Sequence, residues 1–282
     1  MAGLRELQSL AAEFTPGPLL VHADVMKMAS FVGPYQGKET FLQSHWDLLQ
    51  ELAQGRPIWL PSYNYDFPKT GIFDVQRCPS QVGALSEFVR RRHAHWRTNV
   101  PVYSIVGTGP PPTYPQEDIF YPFGTHSAFE QLLTQDGQLL FYGAKYRTNT
   151  YGHYLEHLGN NLHYRYAKRF SGQLVTKDNK SQPVSVEYHC RPQGRSMDYG
   201  FDRVLGDLHR EGIAKVLSSE NSPVILIHGK SMADYYLARF KNDPYYLLDE
   251  ETRNWVVEKV QQLGRPFCLT DFEPAEATRA AG

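Results

Sequence analysis

The chain has 282 residues, of which 41% are apolar, and its 29 Lys and Arg stand against 30 Asp and Glu for a formal net charge of −1. That composition supplies enough apolar side chain for a buried core, and the charge balance argues against nucleic acid or an anionic membrane as the main partner. No apolar run approaches the ~18 residues that span a bilayer, and Cys78, Cys190 and Cys268 form neither a CxxC pair nor a disulfide framework, so a reducing cytoplasmic setting is expected.

Leu4 to Phe14 mixes Arg5, Glu6 and Glu13 with apolar positions and predicts an amphipathic helix rather than a signal peptide. Pro16-Gly17-Pro18 stops it, and LLVHADV predicts a short buried strand. A helix is expected over Lys38–Leu52 and a strand over Pro57–Leu60. The stretch PSYNYDFPKTGIFD, polar and aromatic with two prolines, predicts a long loop. Ser80 is the expected N-cap of a helix running through Phe88 to Arg91. Next come a strand over Val102–Gly107, the proline-rich loop GPPPTYPQEDIFYPFG, a short helix over His126–Leu133 and a strand over Gly137–Gly143. Asn149 is expected to cap a helix reaching Leu158. Leu162 to His189 alternates as strands do, and Tyr199–Arg210 reads as helix. IAKVLSS and PVILIHG read as strands, followed by helices near Ser231–Phe240 and Glu250–Leu263. Residues 272–282 are small and polar and predict a frayed tail. Strands alternating with helices, without a strong linker, predict one α/β domain over 1–282 built on a central sheet.

The densest group of reactive side chains is Arg147-Thr148-Asn149-Thr150-Tyr151-Gly152-His153-Tyr154-Leu155-Glu156-His157, between a strand ending at Gly143 and a helix. Thr150 and His153, three residues apart, share a helical face. Free amides in a first helical turn can stabilise an oxyanion, and the positive helix end favours a neutral, basic imidazole. The bland alternative is a capped helix with a merely partnered histidine. His153, Glu156 and His157 also spell H-x-x-E-H, the inverted zincin pattern, for which Glu250, Glu251 or Glu258 could give a third ligand. Only three positions of that pattern are fixed, in a chain with 11 histidines, so it is weak. Arg90-Arg91-Arg92 reads as a solvated helix end. Tyr63, Tyr65 and other tyrosines near these segments offer ring-binding surface. GxSxG, Walker and spaced GxGxxG motifs do not occur.

Taken together, Val21-His22-Ala23-Asp24, Leu60-Pro61-Ser62-Tyr63, Phe73-Asp74 and Pro79 to Leu85 form an ordered set. Arg97, Pro101 with Ser104, Tyr121-Pro122-Phe123-Gly124, Ser127, and Asn149-Thr150 with His153 and Glu156 continue it. In that order and spacing the chain resembles the aminoglycoside 3-N-acetyltransferase family. The resemblance implies a three-layer αβα sandwich with a central mixed sheet, unrelated to the GNAT fold. It also implies direct transfer from acetyl-CoA to an amino group of a sugar, with no metal. It makes His153 the general base, Thr150 the group that steadies the tetrahedral intermediate, and Glu187, on a later strand, the carboxylate that orients the histidine. Should Glu187 not serve, Glu156 is the next carboxylate to consider. Ala23, Asp24 and Val25 are expected at the cofactor, with Ser80, Gly83 and Ser104 on its pantetheine and phosphate side. Tyr63, Tyr65, Arg147 and Glu156 are the expected substrate contacts.

Two departures bear on the acceptor. Arg147, with Lys145 beside it, stands where relatives acting on aminoglycosides tend to carry an aspartate, and Val100 replaces a family histidine. An arginine facing the acceptor suits phosphate. The expected acceptor is therefore a nucleotide-linked amino sugar of surface polysaccharide (lipopolysaccharide) synthesis. The alternative is an aminoglycoside, and a non-catalytic CoA-binding protein is a third class. No nucleic-acid or membrane partner is expected, and a homodimer is one open assembly state.

Overall fold

The pentapeptides Leu19–Ala23 and Gln138–Tyr142 are buried along almost their whole length, the pattern of parallel strands covered on both faces. They lie at the centre of a computed structural model that describes residues 2–113, 119–219 and 222–273. In chain order its elements are α1 (Ala2–Ala11), β1 (Leu19–Ala23), α2 (Gly37–Ala53), β2 (Ile58–Pro61), α3 (Phe67–Thr70), β3 (Ile72–Asp74), α4 (Ala84–Arg92), β4 (Trp96–Arg97), β5 (Ile105–Gly107) and β6 (Ile119–Phe120). There follow α5 (Ala128–Thr134), β7 (Gln138–Tyr142), α6 (Tyr151–Leu158), β8 (Tyr166–Val175), β9 (Ser181–Cys190), α7 (Phe201–Arg210), β10 (Ala214–Ser219), β11 (Ser222–His228), α8 (Gly229–Asn242) and α9 (Glu250–Leu263).

Among the described residues, the larger sheet runs β10-β11-β7-β1-β2-β5-β4. It is mixed: β1 is parallel to β2 and β7, and the outer pairs are antiparallel. Register sorts its side chains into two layers, because successive residues of a strand point to opposite faces. Val21 lies beside Leu140, and Leu140 beside Leu226; all three pack with Leu49 of α2 and Val89 of α4. Leu20 lies beside Leu139, and Leu139 beside Ile227; these pack with Phe129 of α5, Leu155 of α6, Leu208 of α7 and Met232 of α8. The result is the expected three-layer αβα arrangement.

A second sheet, β3-β8-β9-β6, stands beside the first. In β9, Val184, Val186 and Tyr188 alternate into a core with Phe67, Phe73, Val102 and Leu174. Gly143 sits where β1 and β7 end. Its φ is +76°, and a Cβ there would stand 2.4 Å from the Asp24 carbonyl oxygen, so only glycine lets the two strand ends close while the chain turns toward α6.

Several local expectations are corrected. The stretch expected as a long loop over 61–74 carries α3, with a proline in its first turn, and β3, which pairs with β8 about a hundred residues later. The expected loop over 109–124 carries β6, paired with β9, while its residues 114–118 lie outside the described residues. Ser80 caps no helix. Its N–H donates to the Glu87 carboxylate at 2.7 Å, and α4 starts after Gly83. The strand expected from Val102 begins only at Ile105, because Val102 adopts φ +63° and Tyr103 N–H turns back to the Pro101 carbonyl. Glu273 is buried and accepts a hydrogen bond from Tyr166 at 2.7 Å and one from Lys168, so the tail does not begin at 272; residues 274–282 lie outside the described residues. Among the described residues no helix is long and apolar enough to cross a membrane.

Candidate active site

The C-terminal ends of parallel β1 and β7 open into the same space, the usual place for a ligand in an α/β sheet. After β1 the chain delivers Asp24 and Val25. After β7 it passes through Lys145, Arg147 and Thr148 and enters α6, whose first turn carries His153. The N-cap position belongs to Thr150, not to Asn149 as expected. The Asn149 amide turns inward instead, donating to the Tyr146 hydroxyl at 3.3 Å beside Met232 Sδ. Thr150 Oγ1 donates to the Thr148 carbonyl at 3.3 Å, which places Thr150 beside the amides that no helical carbonyl can satisfy.

His153 Nδ1 lies 2.9 Å from Glu156 Oε2. A carboxylate can only accept, so Nδ1 carries the proton and Nε2 keeps its lone pair. Glu156 is buried, and Tyr164 Oη donates to its other oxygen. Arg165, also buried, sets Nη2 3.1 Å from Glu156 Oε2 and 2.7 Å from Tyr199 Oη, on which it donates. The Phe123 ring meets the imidazole edge-on at 5.3 Å. Burial alone would raise the Glu156 carboxyl; the Arg165 charge and the hydrogen bonds from His153 and Tyr164 outweigh it and hold the group down to about 2. His153 is lowered below the ordinary imidazole range, chiefly by its withdrawal from water. Glu156 opposes that shift, and the charges of Arg165 and Arg191 add to it. At neutral pH the pair is therefore an ionised carboxylate hydrogen-bonded to a neutral imidazole.

Two cavities meet at this histidine. The larger, about 660 Å³, is lined by Ala23, Asp24, Val25, Tyr63, Tyr65, Gly83, Lys145, Arg147 and Thr150. The smaller, about 350 Å³, is lined by aromatic faces of Phe123, Phe170 and Tyr188 together with Glu156, Arg165 and His189. Tyr103, His153 and Arg191 border both. His189 is lowered to about 4, mainly by burial, and is neutral. Lys145 and Arg147 are exposed, and neither makes an ion pair among the described residues.

The structure thus brings together Ala23, Asp24, Val25, Gly83, Tyr63, Tyr65, Arg147, Thr150 and His153 around one cavity. Three expected residues do not join the two cavities as predicted. Ser104 is fully buried, donates to the Ser62 carbonyl at 2.6 Å and accepts from Arg97 Nε at 3.0 Å, so it braces a loop instead of facing a ligand. Ser80 lines neither cavity. Glu187 also lines neither cavity. Its neighbours Val186 and Tyr188 take the inward face of β9, and the outward Glu187 meets its cross-strand partner Arg169 at 3.5 Å. Glu156, expected at the substrate, lines the smaller cavity and also holds the imidazole. Sequence reasoning missed Arg165, Arg191, Tyr103 and Tyr199. The H-x-x-E spacing carried a signal for Glu156, whereas Arg165 lies in the stretch 162–189 that reads only as strands, and just ahead of β8, so nothing singled it out.

The inverted zincin spacing does not assemble a ligand set. Among the described residues no three His, Cys, Asp or Glu side chains stand together as ligands.

Comparison with known proteins fits this geometry. The sequence profile described as aminoglycoside 3-N-acetyltransferase matches residues 22–241. A search of curated protein sequences finds no match. Solved structures with the same fold include AAC-IIIb in its binary complex with CoASH, at 19% identity and a TM-score of 0.64 over 85% of this chain and 96% of that one. They also include sisomicin-bound AAC-VIa, at 16% identity and 0.63 over 86% and 97%. A third is the YokD protein from Bacillus subtilis, at 16% identity and 0.64 over 85% and 93%.

Proposed function

The chain belongs to the aminoglycoside 3-N-acetyltransferase family and is an acetyl-CoA-dependent N-acetyltransferase, and from that premise we propose that it acetylates an amino group of an aminoglycoside-type amino sugar, with His153 as general base. The observation that carries the mechanism is the 2.9 Å contact from His153 Nδ1 to an ionised Glu156, which leaves Nε2 unprotonated at the junction of two cavities. Nε2 takes the proton that the amine must lose as it attacks the thioester carbonyl. The first-turn amides of α6 can donate to the carbonyl oxygen as negative charge develops on it, and Thr150 can join them by turning its hydroxyl from the Thr148 carbonyl. Glu156 offsets the imidazolium charge and keeps the ring oriented. The amine attacks directly, and the tetrahedral adduct collapses by breaking its C–S bond and expelling CoA as the thiolate, so no nucleophilic cysteine is required.

The larger cavity suits CoA. Lys145 and Arg147 give it two exposed, uncompensated cations for phosphate, and Met26 and Tyr65 give it apolar surface. With CoA in that cavity, Arg147 serves the cofactor's phosphates and no longer argues for a nucleotide-linked acceptor. Arg147 lies with Ala23–Val25 and Gly83, on the CoA side, and not in the smaller cavity. Replacing both Lys145 and Arg147 by Ala is expected to raise the KM for acetyl-CoA about 10- to 100-fold with kcat changed little, the value of one or two charge-assisted contacts. Steady-state kinetics with acetyl-CoA varied at saturating acceptor would show this.

The smaller cavity suits the acceptor. Phe123, Phe170 and Tyr188 offer ring faces to a sugar or to its ammonium groups. Family membership and the sisomicin complex of a neighbour support an aminoglycoside. One observation favours an anionic amino sugar instead: Arg191 borders both cavities without an ion pair among the described residues, and the one carboxylate on the small cavity's wall is engaged by Arg165. Measuring CoA release with sisomicin and with a nucleotide-linked amino sugar side by side separates the readings. We expect kcat/KM at least about tenfold higher for sisomicin, a difference of about 1.4 kcal/mol. The reverse ratio would assign the anionic acceptor.

A further inference from the structure

Glu156 gives His153 two opposed effects. It fixes the tautomer that leaves Nε2 free, which a base needs. As an anion 2.9 Å away it also stabilises the imidazolium, which works against the lowering that burial gives and against a resting histidine free to accept a proton. The structure contains a counterweight. Arg165 Nη2 lies 3.1 Å from Glu156 Oε2 and 3.4 Å from His153 Nδ1. A guanidinium has no acceptor lone pair, so it bonds to the carboxylate and repels a protonated imidazole. Its own position is fixed. Nη2 also donates to Tyr199 Oη at 2.7 Å, and the rings of Tyr164 and Tyr199 lie 5.7 Å and 5.6 Å from its central carbon. Of the other titratable groups facing His153, His189 is neutral, Tyr103 is uncharged, and Arg191 adds a smaller push in the same direction from an exposed position.

We propose that Arg165 is a positioning residue that keeps His153 unprotonated by cancelling the Glu156 charge while leaving the Glu156 hydrogen bond in place. The inference rests on the reading of His153 as the base. The lowered titration range of His153, to which Arg165 contributes, agrees with it. A guanidinium is required for the full arrangement because its fork reaches Glu156 and Tyr199 together, whereas an ammonium supplies charge alone.

The test follows the His153 imidazole by NMR titration, with its signals identified by their loss in His153→Asn, alongside the pH profile of kcat/KM. Arg165→Gln is expected to raise the His153 midpoint by about one pH unit or more. The acid limb of the profile should move up with it, and turnover should recover toward wild type above the new limb. Arg165→Lys is expected to keep the midpoint within about half a unit of wild type, since the charge remains. An unmoved midpoint in Arg165→Gln would overturn the proposal, whether activity is kept or is lost equally at every pH. So would a rise in Arg165→Lys as large as that expected for Gln, and this second variant decides the matter if Arg165→Gln fails to fold. The NMR reading does not need turnover, so an enzyme that acetylates none of the acceptors tried would refute the proposed function while leaving the role of Arg165 measurable.

Discussion

His153→Ala is expected to lower kcat by about 10²–10⁴-fold while the KM for acetyl-CoA changes by less than about threefold. A protonated sugar amine has no lone pair, so the neutral amine attacks, and its N–H gains acidity as the bond to the thioester carbon forms; the step needs a base in place at that moment. His153 Nε2 meets the requirement because Nδ1 is already committed to Glu156. The sign of its shift matters as well. The imidazole titrates below its ordinary range, chiefly through withdrawal from water, and is therefore in its basic form at pH 7. Activity should fall only as the pH drops through that lowered range, and the acid limb should vanish with the histidine. CoA affinity should be nearly unaffected, because the larger cavity draws its charge from Lys145 and Arg147. A folded His153→Ala protein with near-wild-type turnover would remove His153 from the mechanism.

The layers of the fold were legible because they follow from local pattern. LLVHA and QLLFY are too continuously apolar to be surface strands, and α2 and α9 show helical spacing over long stretches. What escaped depends on partners distant in sequence. Nothing in IFD announces that β3 pairs with Gln173–Val175, and nothing in the run before Ile105 announces a left-handed Val102. The same divide runs through the site. Thr150 and His153 share one helical turn and were found by spacing. Arg165 reaches the imidazole only because the chain doubles back after α6, and Tyr199 reaches Arg165 only because the segment before α7 folds over it. Ser104 shows the opposite error: position in a motif suggested a ligand contact, and Arg97 and the Ser62 carbonyl consume its hydroxyl.

Glu156 and Glu187 should separate sharply when each is changed to Gln. Glu156→Gln keeps the size of the side chain and removes the charge that fixes the Nδ1–H tautomer and offsets the developing imidazolium. It also leaves Arg165 buried without its counter-ion. An unpaired buried charge costs several kcal/mol, so the variant should lose stability as well as rate. We expect kcat to fall by about 10²-fold or more, within the span that loss of an orienting carboxylate gives in other acid–base relays. Glu187→Gln removes only a partly exposed cross-strand pair with Arg169, a contact worth about 1 kcal/mol or less, and should leave kcat within about twofold of wild type. Turnover and thermal unfolding of both variants, measured in parallel, decide the assignment. Full activity in Glu156→Gln with a large loss in Glu187→Gln would mean that the hairpin of β8 and β9 rearranges on substrate binding to bring Glu187 to the histidine. Loss in Glu156→Gln alone assigns the orienting role to the carboxylate that already lies 2.9 Å from the ring.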